Sequence, residues 1–551
     1  MNLLSKYINR TDFKDYADFK ENVSLIDIES FNFGFDIVDE YARLDPTKRA
    51  LVWCDNNGKE LILTFHELSK LSNQTANMLL SKGICKGDFV MTMLNRRYEY
   101  YIVAVALCKI GAVLIPATCL LTHKDIEYRC INADVKAIIA TDESPVIDAI
   151  LEAQPQLPEL RFLFTISDVC GFLNFHTEIK AHSCTLRVID KPNLDDKMLV
   201  YFTSGTTGYP KMVTHSFKYP LGHIMTAYFW QAVQDDGLHF TMAETGWAKF
   251  SWGKIYGQWI AGTAVFCYDY YGRFTPTDVL PLLAKYRITT FCAPPTIYRF
   301  LIREDLSKYD FSSLTHCTTA GEPLNAEVFR IFKQMTGISI CEGFGQSESA
   351  VILATFRYCK PHPGSIGLPT PIYDVRLLDD DIDVTDTGKE GEIVINLREN
   401  QFGLLIGYHK DAEKTRFAVE TGCYHTGDLA YKDKNGYFWF VGRKDDIIKS
   451  SGYRIGPFEV ESALQEHPAV LECAITGAPD PLRGQIVKAT IVLAKGYQAS
   501  EELKKELQEH VKKTTAPYKY PRIIDFVLAL PKTVSGKIKR KDIRKEFDTE
   551  G

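Results

Sequence analysis

The stretch Tyr201-Phe-Thr-Ser-Gly-Thr-Thr-Gly-Tyr-Pro-Lys211 concentrates groups that can hold a polyphosphate. Thr203, Ser204, Thr206 and Thr207 supply hydroxyls. Gly205 and Gly208 let bare backbone N–H groups approach an anion, and Lys211 adds a mobile cation. The apolar run Met198–Phe202 leads in as a buried strand. The same composition also suits a flexible surface loop. It is not a Walker A loop, because Tyr209 and Pro210 separate Gly208 from Lys211.

Further clusters lie downstream. In Thr319-Ala-Gly-Glu-Pro-Leu324, the backbone at Gly321 and the kink at Pro323, on either side of Glu322, offer a wall for a flat ring. The run Glu342-Gly-Phe-Gly-Gln-Ser-Glu348 places Gly343, Phe344, Gly345, Gln346 and Ser347 between two carboxylates. Phe344 has a face for stacking, Ser347 an oxygen for a phosphate, and Glu348 the hard oxygen that Mg²⁺ prefers. Asp428, ending Tyr424-His-Thr-Gly-Asp428, can accept both ribose hydroxyls, and Arg443 can donate to ribose or phosphate. Read singly, each is a surface charge. Trp247, Lys249, Phe250 and Trp252 cluster as well, and core aromatics with a snorkelling lysine account for that spacing. The tail is basic around Lys532, Lys537, Lys539, Arg540, Lys541, Arg544 and Lys545, a solvated charge run in which the Ser535-Gly536 turn can lift Lys537 clear.

These groups need a scaffold. From Phe35 the pattern alternates strand and helix: Ala50–Cys54, a helix over Thr64–Lys82 with Thr64 as N-cap, Asp88–Leu94, a helix over Arg97–Gly111, then Val113–Ile115, Ala137–Ala140 and Phe162–Ile166. Such alternation predicts an α/β fold with a largely parallel sheet covered by helices. Residues up to about Phe33 read as a polar, aromatic-dotted lead-in. After Arg443 the chain turns polar, and Pro457 opens a helix over Phe458–His467. Strands over Glu472–Gly477 and Val487–Ala494 and a helix over Ser500–Thr514 complete a small α+β unit.

The 551 residues exceed one ordinary domain, and 45% hydrophobic with 24% charged residues is a globular balance. A net charge of -6 argues against nucleic acid as the main partner. The 14 cysteines form no C-x-x-C pair, and free thiols point to a reducing compartment, taken here as the cytoplasm. The run Tyr100–Leu121, broken by Lys109, Gly111 and Pro116, reads as a buried helix leading into a strand, so no transmembrane segment is expected. The acidic lead-in resembles neither a signal nor a transit peptide.

In order and content these motifs resemble the adenylate-forming enzymes over roughly residues 50 to 545, and most closely the medium-chain acyl-CoA synthetases, whose Ala-Pro-Tyr-Lys-Tyr-Pro-Arg segment stands at Ala516–Arg522. Phe344 and Ser347 depart from the usual Tyr and Thr, at the cost of one hydroxyl. The resemblance implies a large N-terminal domain, 1–444, and a mobile C-terminal domain, 445–551, hinged near Asp445. It implies ATP, Mg²⁺ and CoA acting on a small carboxylic acid, with Lys211, Lys537 and the metal ligand Glu348 as catalytic residues. Trp247, Lys249, Trp252 and Gly345 would line the acyl pocket, and the aromatic bulk of Trp247, Phe250 and Trp252 suggests short, branched or medium acids or small aryl acids. Residues 203–208, 321–323 and 342–347 with Asp428, Arg443 and Arg454 would bind ATP or AMP, and Ser451, Gly452, Tyr453, Arg483, Lys512 and Arg522 would meet CoA. An adenylating enzyme that loads a carrier protein is the alternative, and a non-catalytic nucleotide sensor is disfavoured because Lys537 and Glu348 are present. Nothing in the sequence specifies an oligomeric state.

Overall fold

The computed structural model describes residues 2–188, 190–203, 210–272, 274–399, 401–419, 422–451, 453–532 and 538–545. Ser204, Gly205, Thr206, Thr207, Gly208, Gly452 and Lys537 lie outside the described residues.

Local signals set the helix ends. The Thr64 hydroxyl accepts the Glu67 N–H at 3.2 Å while the Glu67 carboxylate accepts the Thr64 N–H at 2.8 Å, a reciprocal cap that starts Phe65–Ser81. Gly111, at φ 74°, ends Glu99–Ile110 and turns the chain into strand Val113–Pro116. The apolar run is thus a buried helix and strand. Among the described residues no helix is long and apolar enough to cross a membrane. Lys109 within it is fully buried and donates to Asp39 (2.6 Å), Ser72 (3.0 Å) and Asn73 (2.7 Å), acceptors that offset its desolvation.

The larger, N-terminal domain is α/β with two parallel-rich sheets. An eight-stranded sheet runs Gly407–Tyr408, Lys211–Ser216, Lys197–Thr203, Val113–Pro116, Phe89–Met93, Val135–Ala140, Phe162–Thr165, Leu173–Asn174. A nine-stranded sheet holds Thr290–Cys292, His316–Ala320 and Ile340–Phe344 side by side and parallel. Three features depart from the expected pattern. Lys197–Thr203 and Lys211–Ser216 pair antiparallel, with Thr203 opposite Lys211. A five-stranded antiparallel sheet occupies residues 374–443. The lead-in is no loose arm: Phe13, Phe19, Phe31 and Phe33 are buried, and the Phe19 ring centre lies 4.5 Å from Phe229 and 5.4 Å from Phe356. Burying such rings adds apolar area to the core that a polar average over the segment conceals.

The short turn Lys444–Asp446 leads into the smaller α+β domain. Its sheet orders Tyr453–Ile455, Ile448–Ser450, Gly484–Leu493 and Val470–Asp480, with Ile523–Phe526 pairing parallel to Gly484–Leu493. Helices Pro457–Gln465 and Glu501–Thr514 close a separate core around Ile448, Val460, Leu464, Ile475, Ile491 and Leu507.

Candidate active site

Because Thr203 and Lys211 are register partners, the glycine-rich loop leaves and rejoins the sheet at adjacent points. The Tyr201 hydroxyl is bonded to that of Ser251, which ties this hairpin to the helix Ala248–Gly253. Strand Gly407–Tyr408 pairs with the outer side of Lys211–Ser216. From there the Tyr408 hydroxyl donates to Glu348 Oε1 at 3.1 Å, and Lys211 Nζ lies 5.2 Å from the Tyr408 ring centre. The Leu405 N–H donates to the Glu348 carbonyl at 2.7 Å. His215, buried and pushed down to about 4 by desolvation, is neutral and donates from Nε2 to the Ser347 carbonyl at 2.8 Å.

The sugar end is equally constrained. Tyr424 donates to Gln346 Oε1 at 2.6 Å, and Gln346 Nε2 donates to Asp428 Oδ2 at 2.6 Å and to the Thr426 carbonyl at 2.8 Å. Asp428 and Arg443 are register partners, with Arg443 Nη1 3.4 Å from Asp428 Oδ1. Asp428 is buried and Arg443 exposed, and Arg443 Nη1 also donates to the Thr426 carbonyl at 3.2 Å. Gly321, at φ 99°, turns the chain after His316–Ala320, which few other residues would allow. Glu322 accepts from Thr296 (3.2 Å) and Arg299 (3.4 Å), and Pro323 is half-buried.

The run 342–348 divides in two. Glu342 turns inward and accepts the Leu324 N–H at 3.1 Å, and burial pushes its carboxyl up to about 8. A Cβ on Gly343 would lie 2.5 Å from the Trp230 indole. Residues 344–348 are half-buried, with Phe344 6.2 Å from the Phe440 ring.

On the acyl side, Gly246 passes so close to the 117–118 backbone that a Cβ would lie 2.4 Å from the Thr118 nitrogen. That contact fixes half-buried Trp247 at the head of Ala248–Gly253. Trp252 lies over Gly345, where a Cβ would approach its Cη2 to 2.4 Å. Phe250 corrects the expectation of a third pocket aromatic: it is fully buried, 4.7 Å from the Tyr100 ring and 5.4 Å from Tyr101. Lys249 is half-buried. Its Nζ donates to the Ala320 carbonyl at 2.7 Å, joining the acyl helix to the Gly321 turn.

In the smaller domain the Ser451 N–H donates to the Arg483 carbonyl at 2.9 Å, and Tyr453 stacks on Tyr518 at 4.2 Å. Lys512 and Arg522 flank the Tyr520 ring at 4.3 and 4.9 Å. Arg454 pairs with Asp379 at 3.6 Å. Asp445 is exposed in the linking turn. The domains touch where Arg299 donates to Gln465 (3.2 Å) and Asn325 to the Ser462 carbonyl (3.3 Å). Tyr408 and His215 were not among the residues picked out from the sequence. Neither belongs to a spacing that signals chemistry, and only the sheet order brings them to Glu348 and Ser347.

The AMP-binding enzyme family matches residues 38–408, and the AMP-binding enzyme C-terminal domain matches residues 459–537. The chain belongs to the AMP-binding enzyme family. Within it the chain falls among the acyl-CoA synthetases of the medium-chain group. It is 43% identical over 545 residues to the acyl-coenzyme A synthetase ACSM3, mitochondrial, of Mus musculus, covering 97% of this chain and 93% of that one. It is also 43% identical over 529 residues to the acyl-coenzyme A synthetase ACSM5, mitochondrial, of Homo sapiens, covering 94% and 91%. An anthranilate CoA ligase solved in complex with anthranoyl-AMP superposes with a TM-score of 0.86 at 28% identity, covering 95% of this chain and 98% of that one. A benzoate CoA ligase from Burkholderia xenovorans gives 0.82 at 25%, covering 93% and 100%. The names of the two synthetases place those proteins in mitochondria, which lends no support to the expected cytoplasmic location.

Proposed function

We propose that this acyl-CoA synthetase forms an acyl-adenylate in the cleft and that the smaller domain then delivers CoA to it. What carries the reading is two sets of linked side chains: Lys211 and Glu348 joined through Tyr408, and Asp428 and Arg443 joined to Tyr424 through Gln346. One group is suited to phosphates, the other to a sugar, and Trp252 over Gly345 stands beside both.

In the first half-reaction a carboxylate oxygen attacks the α-phosphorus of ATP and the bond to pyrophosphate breaks. In the second, the CoA sulfur attacks the acyl carbon and AMP leaves. Both steps bring anions together, so positioning and charge neutralisation supply most of the catalysis. Lys537 bridges the acid carboxylate and the α-phosphate, and the Thr203–Lys211 loop holds pyrophosphate as it departs. Asp428 and Arg443 hold the ribose, while Gly321–Pro323 and Phe344 hold the adenine. Glu348 suits Mg²⁺: it is a single hard carboxylate, and no three His, Cys, Asp or Glu side chains gather as a metal centre among the described residues. A cation bound through one protein carboxylate and nucleotide phosphates fits that donor set, and it would neutralise phosphate charge.

Rotation about Asp445, the boundary between 1–444 and 445–551, exchanges Lys537 for Ser451, Gly452 and Tyr453. Arg454 then turns to AMP, and Arg483, Lys512 and Arg522 take the CoA phosphates. With Trp247 and Trp252 as walls, the acid is short, branched or medium-chain, or a small aryl acid. Pyrophosphate release measured across acids of increasing length and branching checks this. A kcat/KM that falls beyond medium chains is expected, and a maximum at long chains overturns it. Free thiols fit any reducing compartment. Imaging the tagged full chain decides between cytoplasm and mitochondrion.

A further inference from the structure

Tyr408 meets both phosphate-handling groups, Glu348 and Lys211. Its backbone is fixed from both sides: it pairs with Val213, and its N–H donates to the Thr415 hydroxyl at 2.9 Å. Its side chain is 7% exposed, so the phenol cannot swing into solvent. From this anchored position its hydroxyl reaches Glu348 Oε1 at 3.1 Å and its ring faces Lys211 Nζ at 5.2 Å. The same segment also holds the Glu348 backbone, through the Leu405 N–H at 2.7 Å and the bridge between Ser349 and Leu404.

We propose that Tyr408 is a positioning residue that aims one oxygen of Glu348 at the metal of Mg·ATP while its ring docks the Lys211 ammonium. A phenol donor occupying Oε1 sets the rotation of the carboxyl group and leaves Oε2 to face a cation. The ring face, with its negative quadrupole, holds an ammonium near the carboxylate without neutralising it as a carboxylate partner would. The proposal rests on Glu348 as the metal ligand and adds the residue that orients it.

Tyr408→Phe keeps the ring and removes only the donor. Isothermal calorimetry of ATP binding to the full chain, at a series of Mg²⁺ concentrations and without acid or CoA, reads the effect without turnover. Relative to the parent, Tyr408→Phe should raise the Mg²⁺ concentration for half-maximal ATP binding roughly threefold to tenfold, the scale of one hydrogen bond. Its affinity for ATP without Mg²⁺ should be unchanged. Tyr408→Leu should weaken binding in both conditions, because the docking face for Lys211 is lost as well. Glu348→Gln separates the premise from the proposal. A parental Mg²⁺ dependence in Glu348→Gln means the metal-ligand reading fails. A large shift in Glu348→Gln with none in Tyr408→Phe means that reading stands and the role given to Tyr408 is wrong. If Tyr408→Leu does not fold, the Tyr408→Phe titration alone decides.

Discussion

Glu342 and Glu348 close the two ends of one short run and meet opposite surroundings. Glu348 is half-buried beside a phenol donor, whereas Glu342 is enclosed with a single backbone N–H, and its carboxyl is pushed up to about 8. The folded protein therefore keeps a proton that the unfolded chain, with an ordinary value of 4.5, releases. Stability falls as pH rises from about 4.5 to about 8 and then levels off. Glu342→Gln keeps the shape without that slope. Urea unfolding at pH 6 and pH 8 should show the variant gaining on the parent at the higher pH, and an equal difference at both values would remove the buried acid from the account. The sequence picks out Glu348, Asp428 and Arg443 through their neighbours, and the structure pairs Asp428 with Arg443 and sets Glu348 against Tyr408. The burial of Phe250 and the bond from Lys249 to the Ala320 carbonyl leave no mark in the sequence. The helix Ala248–Gly253 is too short for periodicity to say which side faces core and which faces cleft.

At the scale of elements, the parallel strands and their covering helices follow from apolar runs and caps. The antiparallel sheet over 374–443 was missed because its strands mix charged residues with apolar ones, as in Glu390-Gly-Glu-Ile-Val-Ile-Asn396. The two-residue strand Gly407–Tyr408 has no sequence signature at all, yet it brings a side chain to Glu348. The strand end at Gly345 carries a prediction. A methyl there would meet Trp252 Cη2 at 2.4 Å and Cζ2 at 2.7 Å, so the indole must move. Gly345→Ala should cost about 1–3 kcal/mol of stability, as overpacking does. It should also lower kcat/KM for the largest accepted acid more than for the smallest. A uniform loss across acids in steady-state assays would separate Trp252 from the acyl pocket.

At the scale of the molecule, two domains with separate cores meet through contacts that include Arg299 with Gln465, Asn325 with Ser462, Arg454 with Asp379, and the Phe440 ring 6.0 Å from Phe458. Relative motion is the default expectation for two domains of one chain. Arg454 is paired here with Asp379, and that pair must break for Arg454 to reach AMP. The order of the motifs made both domains legible from the sequence. Their mutual orientation was not, because it depends on a turn, Lys444–Asp446, and on pairs such as Arg299 with Gln465 that lie far apart in sequence. The central claim is that one site runs two half-reactions with different residues presented by the smaller domain. The most direct test is to measure both half-reactions in Lys537→Ala. Acid-dependent ATP–pyrophosphate exchange should fall by at least roughly 10²–10³-fold, the loss typical of one transition-state donor. Thioester formation from supplied acyl-AMP and CoA should stay close to the parental rate. An equal fall in both half-reactions would contradict the account.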